Sequence, residues 1–172
     1  MPMGWTDFYV KVGRVAVGLR WRVVQNHSPF TTDQLDQLIV LTLLKMGLRL
    51  PRGHPVEFTA QCRHKAGFAA NHQGITIDKR RWSAITVRVG GDGTASAFTA
   101  VQLMASFAHE LEHARQWCKK VGNSRPGSHG DHHELLATRA TEHMLIHLVT
   151  DESAVRELYV IVKQAVARPR KD

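Results

Sequence analysis

Residues 98–118 read FTAVQLMASFAHELEHARQWC, and the reading of this stretch decides both the fold and the chemistry to expect. Ala100, Leu103, Met104, Phe107, Leu111 and Ala114 recur at spacings of three and four, the apolar stripe of a helix buried along one face. Embedded in it, His109-Glu110-Leu111-Glu112-His113 is a complete H-E-x-x-H pattern. Two histidines four residues apart share a helical face, so both imidazoles can reach one metal ion. Glu110 lies one step round the helix from His109, where a carboxylate can hold a water and accept its proton.

The flanks fit such a helix. Asp92-Gly93 supplies a turn ahead of it, and Thr99 with Gln102 matches a capping box. With 11 histidines in the chain, pairs at helical spacing also arise without any chemistry. His143 and His147 are one such pair, lacking a glutamate after the first histidine, and are expected on the surface. Glu112 points away from His109 on the helical wheel and is expected in solvent.

A length of 172 residues suggests one domain over 1–172, with 168–172 a frayed basic tail. A hydrophobic fraction of 43% is enough for a normal core. The most apolar run, residues 36–50, is too short for a membrane span and contains Lys45 and Arg49. Residues 1–7 lack the basic start and apolar core of a secretory signal. Cys62 and Cys118 form no C-x-x-C pair, which argues against a cysteine-rich zinc module and suits reduced thiols in the cytoplasm. The net charge of +8 includes Lys79-Arg80-Arg81, Lys119-Lys120 and Arg168-Pro169-Arg170-Lys171. That balance suits either a nucleic-acid partner or a solvated basic exterior, and the scatter of the basic groups leaves both open.

Elsewhere, Val15, Val17, Leu19, Trp21 and Val23 alternate with Ala16, Gly18, Arg20 and Arg22, a period that favours a strand over the alternative of a helix. Thr31 with Gln34 caps a helix over about 32–48 that ends at Gly47 and Pro51. Residues 55–89 read as a small antiparallel sheet, with strands at Val56–Cys62, Gly67–Asn71, Gly74–Asp78 and Ala84–Val89 and a hairpin turn at residues 71–74. After the loop from Val121 to Ser128, helices follow from about Asp131 to Val149 and from Glu152 to Ala167. The last of these carries Val155, Leu158, Val162 and Ala165 at helical spacing. The expected class is α+β: a small, mostly antiparallel sheet, then the motif helix, then C-terminal helices.

A catalytic zinc takes three protein ligands and keeps a position for water. Glu134, 21 residues beyond His113 in the first turn of the next helix, is the leading third ligand. Small residues on its face, Ala137, Thr138 and Thr141, let two helices approach closely. Glu134 also completes a capping pattern with Asp131, which would explain it without metal. His129, before Gly130, is the rival ligand. His132, His133 and Arg139 are candidate donors to an oxyanion.

His-Glu-Leu-Glu-His followed by Glu134-Leu135-Leu136-Ala137 resembles the gluzincin branch of zinc metallopeptidases. The resemblance covers about residues 98–145 and implies a zincin-like minimal metalloprotease domain. It further implies one zinc per chain held by His109, His113 and Glu134, with Glu110 as general base. The chain departs from the commonest gluzincin form at Thr138, where an aspartate often stands. A second resemblance is to SprT-like proteases, whose third ligand is a histidine before a glycine, as at His129-Gly130, although the aromatic residue usual after that glycine is absent. Proteins of that family act on DNA-bound protein, which suits the positive charge.

The expected function is zinc-dependent hydrolysis of peptide bonds in a peptide or protein substrate. An edge strand in the 67–89 region would align the chain to be cut. The alternative is a basic nucleic-acid-associated protein in which zinc is structural. Glu110 separates the two, since a structural site has no use for a carboxylate there.

Overall fold

The computed structural model describes residues 4–12, 15–47, 55–61, 74–78, 84–90, 93–119 and 131–167. In chain order the elements are β1 (Thr6–Val12), β2 (Val15–Asn26), α1 (Thr32–Lys45), β3 (Val56–Gln61), β4 (Gly74–Asp78), β5 (Ala84–Gly90), α2 (Ala97–Lys119), α3 (Asp131–Val149) and α4 (Glu152–Ala167). The strands form one sheet in the order β1-β2-β3-β5-β4. This is an α+β chain.

The sheet is mixed, which corrects the expectation of a mostly antiparallel one. β1 with β2, and β4 with β5, are antiparallel, whereas β2 with β3, and β3 with β5, are parallel. The reason lies in the connections. A parallel neighbour needs a crossover of a dozen or more residues, and the chain between β2 and β3 contains α1. The valine-rich strand therefore joins the same sheet as the later strands instead of standing apart. The expected strand Gly67–Asn71 lies outside the described residues, as do residues 71–73 of the expected hairpin turn.

The alternation expected in β2 holds where its side chains are described: Trp21 and Val23 are buried, while Arg20 is exposed and Arg22 half-buried. Trp21 pairs with Val56 and Val23 with Phe58, so the apolar positions of neighbouring strands fall on one face. Val87 pairs with Phe58 and Val89 with Ala60, extending that face across β5. On the opposite face, Glu57 meets Arg22 at 2.9 Å, and the Arg22 guanidinium lies 4.4 Å from the centre of the Trp5 ring.

α1 starts as its sequence dictates. The Thr31 side chain accepts from the Gln34 backbone, and the Gln34 side chain accepts from the Thr31 N–H. It ends at Gly47, whose φ of 67° is the left-handed conformation that stops helices. The cap of α2 differs from expectation. Ser96, not Thr99, is the capping residue: its hydroxyl accepts from the Thr99 N–H at 3.1 Å, which places Thr99 in the first turn. Gly93, with φ 143°, provides the turn just before it.

α2 packs against α1, α3 and α4 and against β4 and β5. All six members of its apolar stripe, Ala100, Leu103, Met104, Phe107, Leu111 and Ala114, are buried. Phe107 meets Phe58 of β3 edge to face, with ring centres 5.1 Å apart, and this contact fixes the helix over the middle of the sheet. α4 buries Ala154, Leu158, Ile161, Val162 and Ala165; Val155, expected on that face, is exposed. Lys45 at the end of α1 pairs with Asp151, which also accepts from the Ala154 N–H at the start of α4. Among the described residues no helix is long and apolar enough to cross a membrane.

Because Phe107 joins α2 to the sheet, Phe107→Ala should cost about 3–5 kcal/mol of stability. Urea unfolding followed by circular dichroism checks this, and a cost below about 1 kcal/mol would mean that the helix is held elsewhere.

Candidate metal centre

The helix that carries the apolar stripe turns a neighbouring face toward α3. His109 and His113 lie on that face one turn apart, with ring centres 4.8 Å apart and Nε2 atoms separated by 3.2 Å. Glu134, in the first turn of α3, straddles them. Its Oε2 lies 3.2 Å from Nε2 of His109, and its Oε1 lies 3.1 Å from Nε2 of His113. Ala137, one turn on along α3, is fully buried, and such a small residue lets the two helices come this close.

The donor set suits a small divalent cation. Ligand atoms about 2.0–2.1 Å from a tetrahedral zinc stand roughly 3.3 Å apart, close to the separations seen here. Two imidazole nitrogens and a carboxylate meeting at one point are electron-pair donors that need a positive charge or shared protons between them. Among the described residues, His109, His113 and Glu134 are a group able to hold a metal ion. The two histidines are largely buried, while Glu134 keeps about 40% of its side chain exposed, so the cluster opens to solvent on the α3 side.

Glu110, next to His109 on α2, is buried, with only 1% of its surface exposed. Burial first, and then the negative charge of Glu134, together push its carboxyl up to about 8. A carboxyl that titrates near neutrality is what a general acid–base residue requires.

His132 is exposed, and its ring lies 6.2 Å from that of His133. The backbone carbonyl of His133 accepts from the Gln116 side chain at 3.1 Å. Arg139 is exposed and lines a cleft of about 260 Å³ with Met46, Glu112, Arg115, Leu136, Ala140 and His143. None of the three clustered residues lines that cleft. His129 lies outside the described residues. His143 and His147 are exposed, as their pattern predicts.

Two features were not read from the sequence. Glu112, expected in solvent, is 2% exposed and makes a two-pronged pair with Arg115 at 2.7 and 2.9 Å. It lines the same cleft as Leu136, Arg139 and Ala140 of α3, and the guanidinium three residues on supplies the partner that a buried carboxylate needs. Gln116 also faces the cluster: its Oε1 lies 3.1 Å from Nδ1 of His113. The signal was available, because Gln116 follows His113 by three and so shares its helical face.

No protein-family model matches the chain, and no curated protein matches it either.

The raised carboxyl of Glu110 makes a pH-dependent contribution to the stability of the metal-free chain. A folded-state value of about 8, above the ordinary 4.5, means that the folded form holds the proton more tightly. Stability should therefore fall as pH rises from 4.5 through about 8. With a chelator present, Glu110→Gln should raise the melting temperature at about pH 9 and leave it nearly unchanged at about pH 5. An equal effect at both pH values would contradict a buried, proton-holding carboxyl.

Proposed function

We propose that this chain is a zinc metallopeptidase with a zincin-like domain, in which His109, His113 and Glu134 hold one zinc ion and Glu110 is the general base. One observation carries the reading: Glu134, from a separate helix, meets both histidines of the H-E-x-x-H pattern, while Glu110 is buried and feels the charge of Glu134. The gluzincin likeness of the motif gives the same ligand set.

Zinc, when bound, supplies a Lewis acid that lowers the pKa of water toward about 7 and polarises a carbonyl. The rest falls to the chain. Glu110 takes the proton of the attacking water and returns it to the departing amine nitrogen, so one carboxyl serves as base and then as acid. Three protein ligands leave a fourth position for water and substrate. Among the described residues β4 is an edge strand and lies against α2, so an extended peptide can add beside it through backbone hydrogen bonds.

A purely structural zinc in a nucleic-acid-binding protein would have no use for Glu110, whose burial as a charged group is unfavourable. The net charge of +8 then serves recognition of an acidic or nucleic-acid-bound protein substrate.

The test is hydrolysis of an unfolded, fluorescently labelled protein by the zinc-loaded chain. Glu110→Gln should retain zinc and lose about 10²- to 10⁴-fold in kcat/KM. His109→Ala and Glu134→Ala should lose both zinc and turnover. Turnover retained by Glu110→Gln would remove Glu110 from the mechanism, and zinc retained by Glu134→Ala would remove it from the ligand set.

A further inference from the structure

Gln116 makes two contacts that settle its own orientation and, through it, that of a ligand. Its Nε2 lies 3.1 Å from the carbonyl oxygen of His133, and its Oε1 lies 3.1 Å from Nδ1 of His113. A backbone carbonyl can only accept, so the amide nitrogen must face it. The amide oxygen then faces His113, and an amide oxygen also only accepts. The proton of a neutral His113 therefore resides on Nδ1, which leaves the Nε2 lone pair directed at Glu134 and His109.

The same side chain spans two helices. Gln116 follows His113 by one turn on α2, while His133 immediately precedes Glu134 in the first turn of α3. The hydrogen bond to the His133 carbonyl thus ties the backbone next to one ligand to the residue that orients the other. Gln116 is itself buried, so neither contact is easily traded for water.

We infer that Gln116 is a positioning residue: it holds His113 in the Nδ1–H form and pins the first turn of α3, so that His113 and Glu134 present their lone pairs to one ion. This inference rests on the reading of His109, His113 and Glu134 as zinc ligands. Gln116 touches neither the metal nor the substrate, and its effect on chemistry passes through the ligands.

The test compares the full-length chain with Gln116→Leu and Gln116→Glu. Zinc affinity is read by competition with a chelator, and the His113 ring protons are read by nitrogen-resolved NMR of the zinc-loaded protein. The unaltered chain should bind one zinc through Nε2 of His113 and show a slowly exchanging proton on Nδ1. Gln116→Leu should bind zinc about 10- to 100-fold more weakly and lose protection of that proton. Gln116→Glu keeps an acceptor for Nδ1–H but cannot donate to the His133 carbonyl. It should restore the protected proton while recovering only part of the affinity.

Equal affinity and an unchanged ring proton in Gln116→Leu would overturn the role of Gln116 while leaving the ligand set intact. Ligation through Nδ1 in the unaltered chain would overturn it without recourse to any variant that fails to fold. Absence of zinc binding by the unaltered chain would instead overturn the ligand assignment, and this inference with it.

Discussion

A single helix has to satisfy two incompatible surroundings. One face of α2 is buried in hydrocarbon through Leu103, Phe107 and Leu111, and the adjacent face gathers His109, His113 and, from α3, Glu134. Close packing of the first face determines the precision of the second, because side chains one turn apart can share an ion only if the helix neither rolls nor slides. Phe107 against Phe58 holds the helix on the sheet, and α1, α3 and α4 also pack against it. The site is thus built on regular structure, with both contributing helices anchored by the same core.

The polar groups drawn into this packing carry its main energetic cost. Glu112 is neutralised by Arg115 and so fixes a charged pair at the contact with α3. Glu110 is buried as well, and its carboxyl responds to desolvation and to the charge of Glu134 by holding its proton up to about 8. A divalent cation in the cluster would offset the charge of Glu134 and relieve the same group. Stability of the empty chain and binding of metal are in this way linked through one carboxyl.

Much of this arrangement was legible in the residues. The stripe from Ala100 to Ala114 announced the buried face of α2, the Thr31–Gln34 pair announced the start of α1, and the H-E-x-x-H spacing placed both histidines on one face. The choice of Glu134 came from spacing and from the gluzincin likeness, and the structure brings its carboxylate between the two imidazoles. What was not legible depends on contacts distant in sequence. Parallel pairing of β2 with β3 follows from where α1 crosses over, which hydrophobic alternation does not encode. Burial of Glu112 follows from where α3 lies, and the capping role of Ser96 over Thr99 depends on a helix start three residues earlier than the hydroxyl pattern suggested. Gln116 was visible as a helical neighbour of His113, but its second contact, to the His133 carbonyl, exists only once α3 has docked.

The central claim is that His109, His113 and Glu134 form a metal centre. The most direct test is zinc content with X-ray absorption at the zinc edge on the purified chain. One zinc per chain is predicted, with two imidazole nitrogens at about 2.0–2.1 Å and carboxylate oxygen at about 2.0–2.2 Å. A chain that neither retains zinc nor takes it up would contradict the claim and leave the H-E-x-x-H pattern as a coincidence of helical spacing.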